Sequence, residues 1–311
     1  MTAPKKPEDV EKQLTTPPTP KDAPADTWSD LFFLHEPEQS ADPIAVKSPK
    51  RTYTLRNLLA AGDVADVYLA TAAETAYILK ISRIPEGVAL LENEKAALAL
   101  LLTAAGDTTY RKYFPTLAES FRGRDTIDKR VNVVLYEPGL HTLEQVKAKY
   151  PDGLEGRHLA WIYKRLLTAL GFLHRQGLVH GAILPCHVLI HAESHGLQFV
   201  GWGHSVEAGQ AITTISAAYR DWYPPEVLQK RPASLETDLY LAARCMVYLA
   251  GGDPLTHCMP EAVPAVMQRF FKASLLEGQT MRPEDAWALH EDFDELLRGL
   301  YGPPRFIKLP M

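Results

Sequence analysis

The chain has 311 residues, 46% of them hydrophobic, which is enough for a large core in one two-lobed unit or in two small domains. Its formal net charge of -5 argues against a nucleic-acid-binding surface over the whole chain, because such surfaces carry a basic excess. The three cysteines, Cys186, Cys245 and Cys258, are too few and too irregularly spaced for a disulfide framework or a zinc ribbon, which favours a reducing compartment.

The first residues, MTAPKKPEDVEKQ, lack the apolar core of a secretion signal. The apolar run from Leu239 to Ala250 contains Arg244 and is shorter than the ~20 residues that cross a bilayer, so it predicts a buried helix. We therefore expect a soluble, cytoplasmic protein with neither a membrane nor a nucleic acid as its partner.

Residues 1–50 form the first distinct segment. They contain nine of the 24 prolines and mix lysines with acidic residues, a composition that buries too little apolar surface to offset the entropy of ordering. We predict a disordered tail, interrupted by a short apolar segment at residues 28–34. Two roles stay open for this segment: it packs on the neighbouring domain, or it recruits a partner.

Short runs typical of β-strands begin at Tyr53. Turn-prone residues separate the runs, so they predict an antiparallel meander. The three runs are residues 53–62, 63–71 and 75–82.

A helix is predicted at residues 87–106, where apolar side chains recur at three- and four-residue spacing. Glu94 lies on the apolar face of this helix, and a carboxylate in a core needs a partner. Lys80, on the preceding strand, is the candidate partner. The alternative is that both side chains are solvated at the edge of the core.

The second half of the chain changes to helical periodicity after a turn at Pro138-Gly139. Two more strands precede this turn, and a strongly periodic helix at residues 158–177 ends on Gly177. The pattern predicts an α+β fold with two lobes, in which a small antiparallel β-rich lobe carries one key helix and the larger lobe is mostly helical. The predicted boundaries are 51–137 for the N-terminal lobe, 138–300 for the C-terminal lobe and 301–311 for a C-terminal extension.

Nine short segments carry motifs in a fixed order. They are AAGDVADVYLA (60–70), YILK (77–80), LENEKAAL (91–98), LYEPG (135–139), LVHGAILPCHVLI (178–190), FVGWG (199–203), AAYRDWYPPEVL (217–228), LETDLYLAARCMVYLAGG (235–252) and MRPEDAWAL (281–289). Together they resemble the eukaryotic-type (Ser/Thr) protein kinase fold, over roughly residues 51–299. Each motif alone is weak, and their order makes the resemblance specific.

The resemblance implies that the catalytic and metal-binding groups are lost. Ala182 stands where such kinases carry the catalytic aspartate, while His187 and Gly201 stand at the two magnesium-ligand positions. Alanine accepts no proton, and neither imidazole nor glycine offers the hard oxygen ligands that magnesium prefers. These degenerate positions predict that the chain has no catalytic residues and no metal site.

The resemblance also implies a vestigial nucleotide site. It comprises Lys80, Glu94, Gly62 and Val67, of which the lysine and its glutamate partner would hold the phosphates.

The phosphate loop itself is altered. Gly62 is the one glycine kept of three, with alanines at positions 60 and 65, and both Asp63 and Asp66 add negative charge that opposes a polyphosphate. We expect Ile78 and Tyr136 to fill part of the adenine slot. Nucleotide binding without metal stays open.

The resemblance also implies that the packing between the two lobes is kept. His180 and Trp202 would stack between the lobes with two leucines, Leu98 and Leu117, and Asp238 would lie beneath them. The resemblance also pairs Glu226 with Arg282.

Histidines crowd the same region, together with Cys186. Their spacing matches no zinc pattern, so we predict no metal site, with a transition-metal site as the alternative. They are residues 180, 187, 191, 195 and 204.

The predicted function is that of a pseudokinase, which has a kinase-like domain without phosphoryl transfer and acts as a scaffold or regulatory module for an unidentified protein partner. No cofactor is predicted, except ATP without magnesium. The alternatives are a nucleotide-binding protein and an unorthodox ATP-dependent transferase in which Glu207, Asp221 or His204 replaces the lost groups.

Overall fold

Six antiparallel strands form the sheet of the N-terminal lobe in the computed structural model, which describes residues 44–123 and 129–311. Their spatial order is β1-β2-β3-β4-β6-β5, so the predicted meander is confirmed as β2, β3 and β4. The strands are β1 (Ala45–Lys47), β2 (Thr52–Ala61), β3 (Ala65–Ala72), β4 (Thr75–Ser82), β5 (Leu117–Arg122) and β6 (Arg130–Leu135).

Strand β1 extends the sheet into residues that the sequence prediction assigned to the tail. It pairs with the start of β2, and the Ser48 amide donates to the Arg51 carbonyl over 2.9 Å to close the turn between them. The described part of the sheet therefore begins before residue 51. Residues 1–43, which hold the rest of the predicted tail and the apolar segment 28–34, lie outside the described residues.

Helix α1 (Pro85–Ala105) packs across this sheet, as its periodicity predicts. Proline suits the first position of a helix, where its missing N–H has no intrahelical partner to lose. The buried face of α1 includes Leu91, Glu94, Leu98 and Leu101. Two of these leucines, at 98 and 101, belong to the core of the C-terminal lobe, so α1 joins the two lobes.

The C-terminal lobe is mostly helical, with two small sheets in the orders β10-β9-β7 and β11-β8. Its helices are α2 (Leu143–Lys149), α3 (Gly156–Arg175), α4 (Pro225–Leu228), α5 (Leu235–Leu249), α6 (Ala265–Ala273) and α7 (Ala286–Tyr301). Its strands are β7 (Leu140–Thr142), β8 (Leu178–Val179), β9 (Val188–His191), β10 (Gly196–Phe199) and β11 (Val206–Glu207).

Helix α5 lies at the centre of this lobe and confirms the predicted buried helix. It is apolar around most of its circumference, which is typical of a helix enclosed on all sides. Its one basic residue, Arg244, donates to the Asp221 carbonyl over 2.5 Å and lies over the Tyr240 ring. Among the described residues, no helix combines the length and the apolar character that crossing a membrane requires.

The C-terminal extension packs against the C-terminal lobe. Gly302 ends α7 with a φ of +74°, and residues 303–305 line a groove together with residues of α3. The His195 ring stacks between Trp161 and Phe306, and the hydroxyl of Tyr150 donates to the carbonyl of Pro310 over 2.6 Å. These contacts fix residues 302–311 on the surface next to α3 and α7.

Candidate functional site

Lys80 and Glu94 form an ion pair between β4 and α1. Glu94 is only 2% exposed, and its second oxygen accepts a hydrogen bond of 3.2 Å from the Asn132 amide. Asn132 lies opposite Lys80 in the register of β4 and β6, and it also donates to the Leu91 carbonyl over 2.8 Å. The alternative of a solvated pair is therefore excluded, and Asn132 is a member of the site that the sequence did not reveal.

His180 lies at the centre of the packing between the lobes. Its Nε2 donates to the Val200 carbonyl over 3.0 Å, while its Nδ1 accepts the amide of Ala182 over 3.2 Å. Burial, reinforced by two neighbouring histidines, lowers the pKa of His180 well below its ordinary value, so the ring is neutral. Its centroid is 4.5 Å from that of the buried Trp202 ring, in an edge-to-face arrangement.

Asp238 holds the backbone beneath this ring. Its two oxygens accept the amides of His180 and Gly181 over 2.7 and 2.9 Å. The His174 ring also contacts the Asp238 carboxylate, over 3.1 Å, a contact that the sequence analysis missed. Asp238 therefore lies beneath the stacked rings of His180 and Trp202, as predicted, and it has His174 as an additional partner.

His187 fills the space that a side chain at position 201 would need. Gly201 has a φ of +84°, and a Cβ built on it would lie 2.7 to 2.8 Å from three atoms of the His187 ring. The Nδ1 of His187 donates to the Ala182 carbonyl over 3.0 Å, which fixes the ring in this position. The resemblance implies magnesium ligands at positions 187 and 201. The imidazole at the first position thus fills the space beside the second.

Burial sets the protonation of the histidines at this position. Burial, followed by the nearby titratable ring of His204, lowers the pKa of His187 to about 3, so its imidazole is neutral at physiological pH. Burial also lowers the pKa of His204, and the Nδ1 of this ring lies 2.9 Å from the Thr214 carbonyl. Within the described ranges, no group of three or more His, Cys, Asp or Glu side chains could hold a metal ion.

The two remaining histidines of the cluster lie elsewhere. His191 is on β9, and His195 contacts the C-terminal extension through its ring and through a 2.7 Å contact with the Ile307 carbonyl. The structure therefore does not bring the five histidines together.

The low pKa of His187 makes stability depend on pH. In the unfolded chain, the His187 imidazole binds a proton near pH 6.5, whereas in the folded protein it binds one only near pH 3. Stability from this group is therefore present above pH 6.5 and is lost as the pH falls towards 3, by up to about 1.4 kcal/mol per pH unit. We expect urea unfolding between pH 7 and 4 to show a shallower loss for His187→Gln than for the wild type. Equal slopes would contradict the assignment.

The loop at residues 62–64 is bound to its surroundings on two sides. The Arg83 guanidinium donates to the carbonyl of Gly62 and, over 3.2 Å, to that of Asp63. The Asp63 carboxylate accepts the Ala217 amide over 2.8 Å and contacts the Ser216 hydroxyl at 3.5 Å. This contact, here called the Asp63 latch, connects the N-terminal lobe to residues 216–217 of the C-terminal lobe.

A second connection runs from α1 to the segment after β10. The amide nitrogen of Asn93 donates to the carbonyls of Gly203 and Ser205 over 2.9 and 2.7 Å. A Cβ on Gly203 would lie 2.9 Å from the Leu90 carbonyl, so the backbones approach each other closely here. The two lobes are therefore joined at both the loop and the helix.

Removing the latch should free the Ala217 amide. A hydrogen bond to a charged group contributes about 1.5–3 kcal/mol, so Asp63→Ala should speed hydrogen exchange of this amide roughly tenfold or more. Amide exchange followed by NMR measures this rate directly. Asp107→Ala, which removes an exposed carboxylate elsewhere, is the matched control and should leave the exchange rate of Ala217 unchanged. An unaltered rate in Asp63→Ala would refute the latch.

The expected filling of the adenine slot is corrected in one part. Tyr136 is 41% exposed and follows the end of β6, so it does not close the rear of a buried slot. The buried Val134 lies opposite Ile78 in the register of β4 and β6. Val67 is half-buried and lies opposite Lys80, beside the ion pair.

Glu226 and Arg282 form the predicted pair, and both side chains are fully buried. The guanidinium donates to the two carboxylate oxygens over 2.6 and 3.2 Å, and it also donates to the carbonyls of Leu276 and Glu277. The same guanidinium lies 4.5 Å from the centre of the Tyr240 ring. This network anchors α4 to the segment before α7.

Two of the three comparisons with known proteins point to protein kinases. No protein-family model matches the chain. Serine/threonine-protein kinase PknF of Mycobacterium tuberculosis is 23% identical over 242 residues, which cover 71% of this chain and 47% of that protein. STE20-related kinase adapter protein alpha of Rattus norvegicus is 24% identical over 172 residues, covering 50% of this chain and 44% of that protein. The matches span less than half the length of these relatives.

The crystal structure of the BubR1 kinase domain is similar over 83% of both chains, with a TM-score of 0.62 and 14% sequence identity. A likeness at this identity establishes the fold and leaves the activity to be argued from the site. The motifs occur in kinase order, the strands and helices form the two expected lobes, and the sequence relatives are a kinase and a kinase adapter protein. This chain therefore has the protein-kinase fold.

Proposed function

We propose that the protein is a pseudokinase, a kinase-fold module that does not transfer phosphate and acts through binding to another protein. The observation that carries the proposal is the packing of the His187 ring into the space beside Gly201. Phosphoryl transfer depends on positioned magnesium ions and on a base near the accepting hydroxyl. At these positions the chain offers a neutral imidazole, a glycine and the methyl group of Ala182.

The loop over the cleft supports the same proposal. In an active kinase, backbone amides of this loop cover the phosphates of ATP. Here the loop binds Arg83 on one side and Ala217 on the other, and it carries the carboxylate of Asp63. A polyphosphate would meet a negative charge at this position and would have to displace the latch.

A binding role is further supported by the name of one relative, which describes a kinase adapter protein. An adapter needs a stable surface rather than a reactive site, and the retained packing of His180, Trp202 and the buried Arg282 supplies a stable frame. We infer that the partner is a protein and that neither a nucleic acid nor a membrane takes this role.

The test is a phosphotransfer assay on the full chain. Purified protein is incubated with radiolabelled ATP, magnesium or manganese, and a generic substrate such as casein or myelin basic protein. We expect no transfer above that of Lys80→Ala, which removes the lysine that would hold the phosphates. Transfer by the wild type that disappears in Lys80→Ala would refute the proposal and favour the transferase alternative.

The transferase alternative gains no support from its three candidate residues. Glu207 is exposed on β11, and Asp221 is exposed, with its carbonyl bound by Arg244. His204 is neutral and bound to the Thr214 carbonyl.

A second candidate function is nucleotide binding without metal. It is favoured by the ion pair of Lys80 and Glu94, because in active kinases the lysine at the equivalent position holds phosphates of ATP. The measurement is a thermal shift with ATP in EDTA, comparing the wild type with Lys80→Ala. A rise in the melting temperature for the wild type alone would establish it, whereas no shift at millimolar ATP would rule it out.

A further inference from the structure

A groove lies on the C-terminal lobe, away from the nucleotide cleft. Helices α3 and α7 form its walls, and the extension after Gly302 borders it. The polar and aromatic residues that matter for its chemistry are Arg157, Trp161, Lys164, Asp294, Arg298 and Arg305.

The groove is basic in a chain whose formal net charge is -5. Four cations line it, with Asp294 as its one lining acid, and Asp294 is already bound by Lys164 and, over 2.8 Å, by Arg298. Arg298 nevertheless stays 70% exposed, so most of its guanidinium faces solvent. The charge on this surface is therefore opposite in sign to that of the whole molecule, which favours an anionic ligand.

The other two arginines have little internal compensation. Glu155 lies 4.0 Å from Arg157, and both side chains are largely exposed, so this pair contributes little. In the part of the chain that the structure describes, no carboxylate forms an ion pair with Arg305. Two guanidinium groups thus remain able to bind an added carboxylate.

One of these groups is already oriented. The Arg157 guanidinium lies 5.0 Å from the centre of the Tyr301 ring, a cation–π contact that holds it at the groove. A side chain ordered before binding loses less entropy when the ligand arrives. A planar guanidinium also matches the two oxygens of a carboxylate.

The cavity between α3 and α7 measures about 110 Å³, less than the roughly 300–1,000 Å³ of pockets for small organic ligands. A second hollow of about 380 Å³, lined by Arg298 and residues 302–304, adjoins it. The space suits one side chain of a peptide that continues over the surface. The half-buried Trp161 offers an apolar wall for the stem of such a side chain.

We propose that this groove binds an acidic segment of a partner protein, with one Asp or Glu side chain in the cavity and its carboxylate on Arg157, Arg298 and Arg305. The proposal rests on the proposed function, for which it supplies a binding surface and the chemistry of the partner. Charge complementarity of this kind sets specificity and speeds association, and the affinity should fall as the salt concentration rises.

The test uses the full chain and a phage-displayed library of random dodecapeptides. We expect the selected peptides to be enriched in Asp and Glu, and the strongest of them to bind more weakly when its acids are changed to amides. In a fluorescence anisotropy titration, the variant Arg157→Glu/Arg298→Glu should weaken binding of that peptide about tenfold or more. Melting temperatures establish that the variant is folded.

The matched control is Arg269→Glu/Lys272→Glu, which makes the same change in net charge on the exposed face of α6 and should leave peptide binding nearly unchanged. Selected peptides without acidic enrichment, or equal weakening by both variants, would overturn the groove assignment. Neither result bears on phosphotransfer, so a failed groove leaves the pseudokinase proposal standing. Detected phosphotransfer would instead overturn that proposal alone.

Discussion

Replacing Arg282 by methionine is expected to lower the free energy of unfolding by about 3–5 kcal/mol, because it leaves the fully buried Glu226 carboxylate without its cation. The change also removes the donors to the carbonyls of Leu276 and Glu277 and the contact with the Tyr240 ring. Urea unfolding at neutral pH measures the loss.

Arg298→Met is the matched control for Arg282→Met. Its ion pair with Asp294 lies at the surface, so its removal should cost no more than about 1 kcal/mol. The double variant Glu226→Gln/Arg282→Met should recover part of the stability, because it buries no charge. A loss for Arg282→Met no larger than that of the control would show that the buried pair does not stabilise the fold.

Restoring an aspartate at position 201 is expected to destabilise the protein rather than to restore a metal ligand. The left-handed backbone at Gly201 costs a side chain about 1–2 kcal/mol, and overlap with the His187 ring adds roughly 1–3 kcal/mol. Gly209 separates the two contributions. It has a φ of +90° with no atom within 4 Å of an added Cβ, so Gly209→Asp should show the backbone cost alone.

Removing the ring should rescue the aspartate. In a double-mutant cycle, His187→Ala is expected to make Gly201→Asp less costly, with a coupling energy of roughly 1–3 kcal/mol. Thermal or urea unfolding of the four proteins gives this energy. A coupling near zero, or equal costs at positions 201 and 209, would mean that the ring yields to the new side chain.

Short β-type runs between turn residues were enough to predict the meander of β2 to β4, and helical periodicity predicted α1 and α3. Periodicity also made Lys80 and Glu94 candidate partners, but it left a solvated arrangement open until the resemblance favoured the pair that the structure shows. The buried pair of Glu226 and Arg282 followed from the resemblance alone, since 56 residues separate the two in the chain.

The contacts that close the cleft could not be predicted in this way. The partner of Asp63 is a backbone amide 154 residues away. Nearly every residue type has a backbone amide, so the sequence does not indicate which one is the donor. The position of the His187 ring depends on the missing Cβ of Gly201, which only the folded geometry shows. Tyr136 was assigned to the adenine slot from the resemblance, whereas in the structure it follows the end of β6 at Leu135 and is exposed.

The Asp63 latch and the Asn93 contacts make the closed arrangement a property of the polypeptide itself. Some two-domain proteins close only around a ligand. A further partner that needs the closed form then binds with a lower apparent affinity, because only the closed fraction of the molecules can bind it. Here the chain's own carboxylate and amide hold the lobes together. A partner that recognised both lobes would therefore meet a pre-organised surface, and no open fraction would lower its apparent affinity.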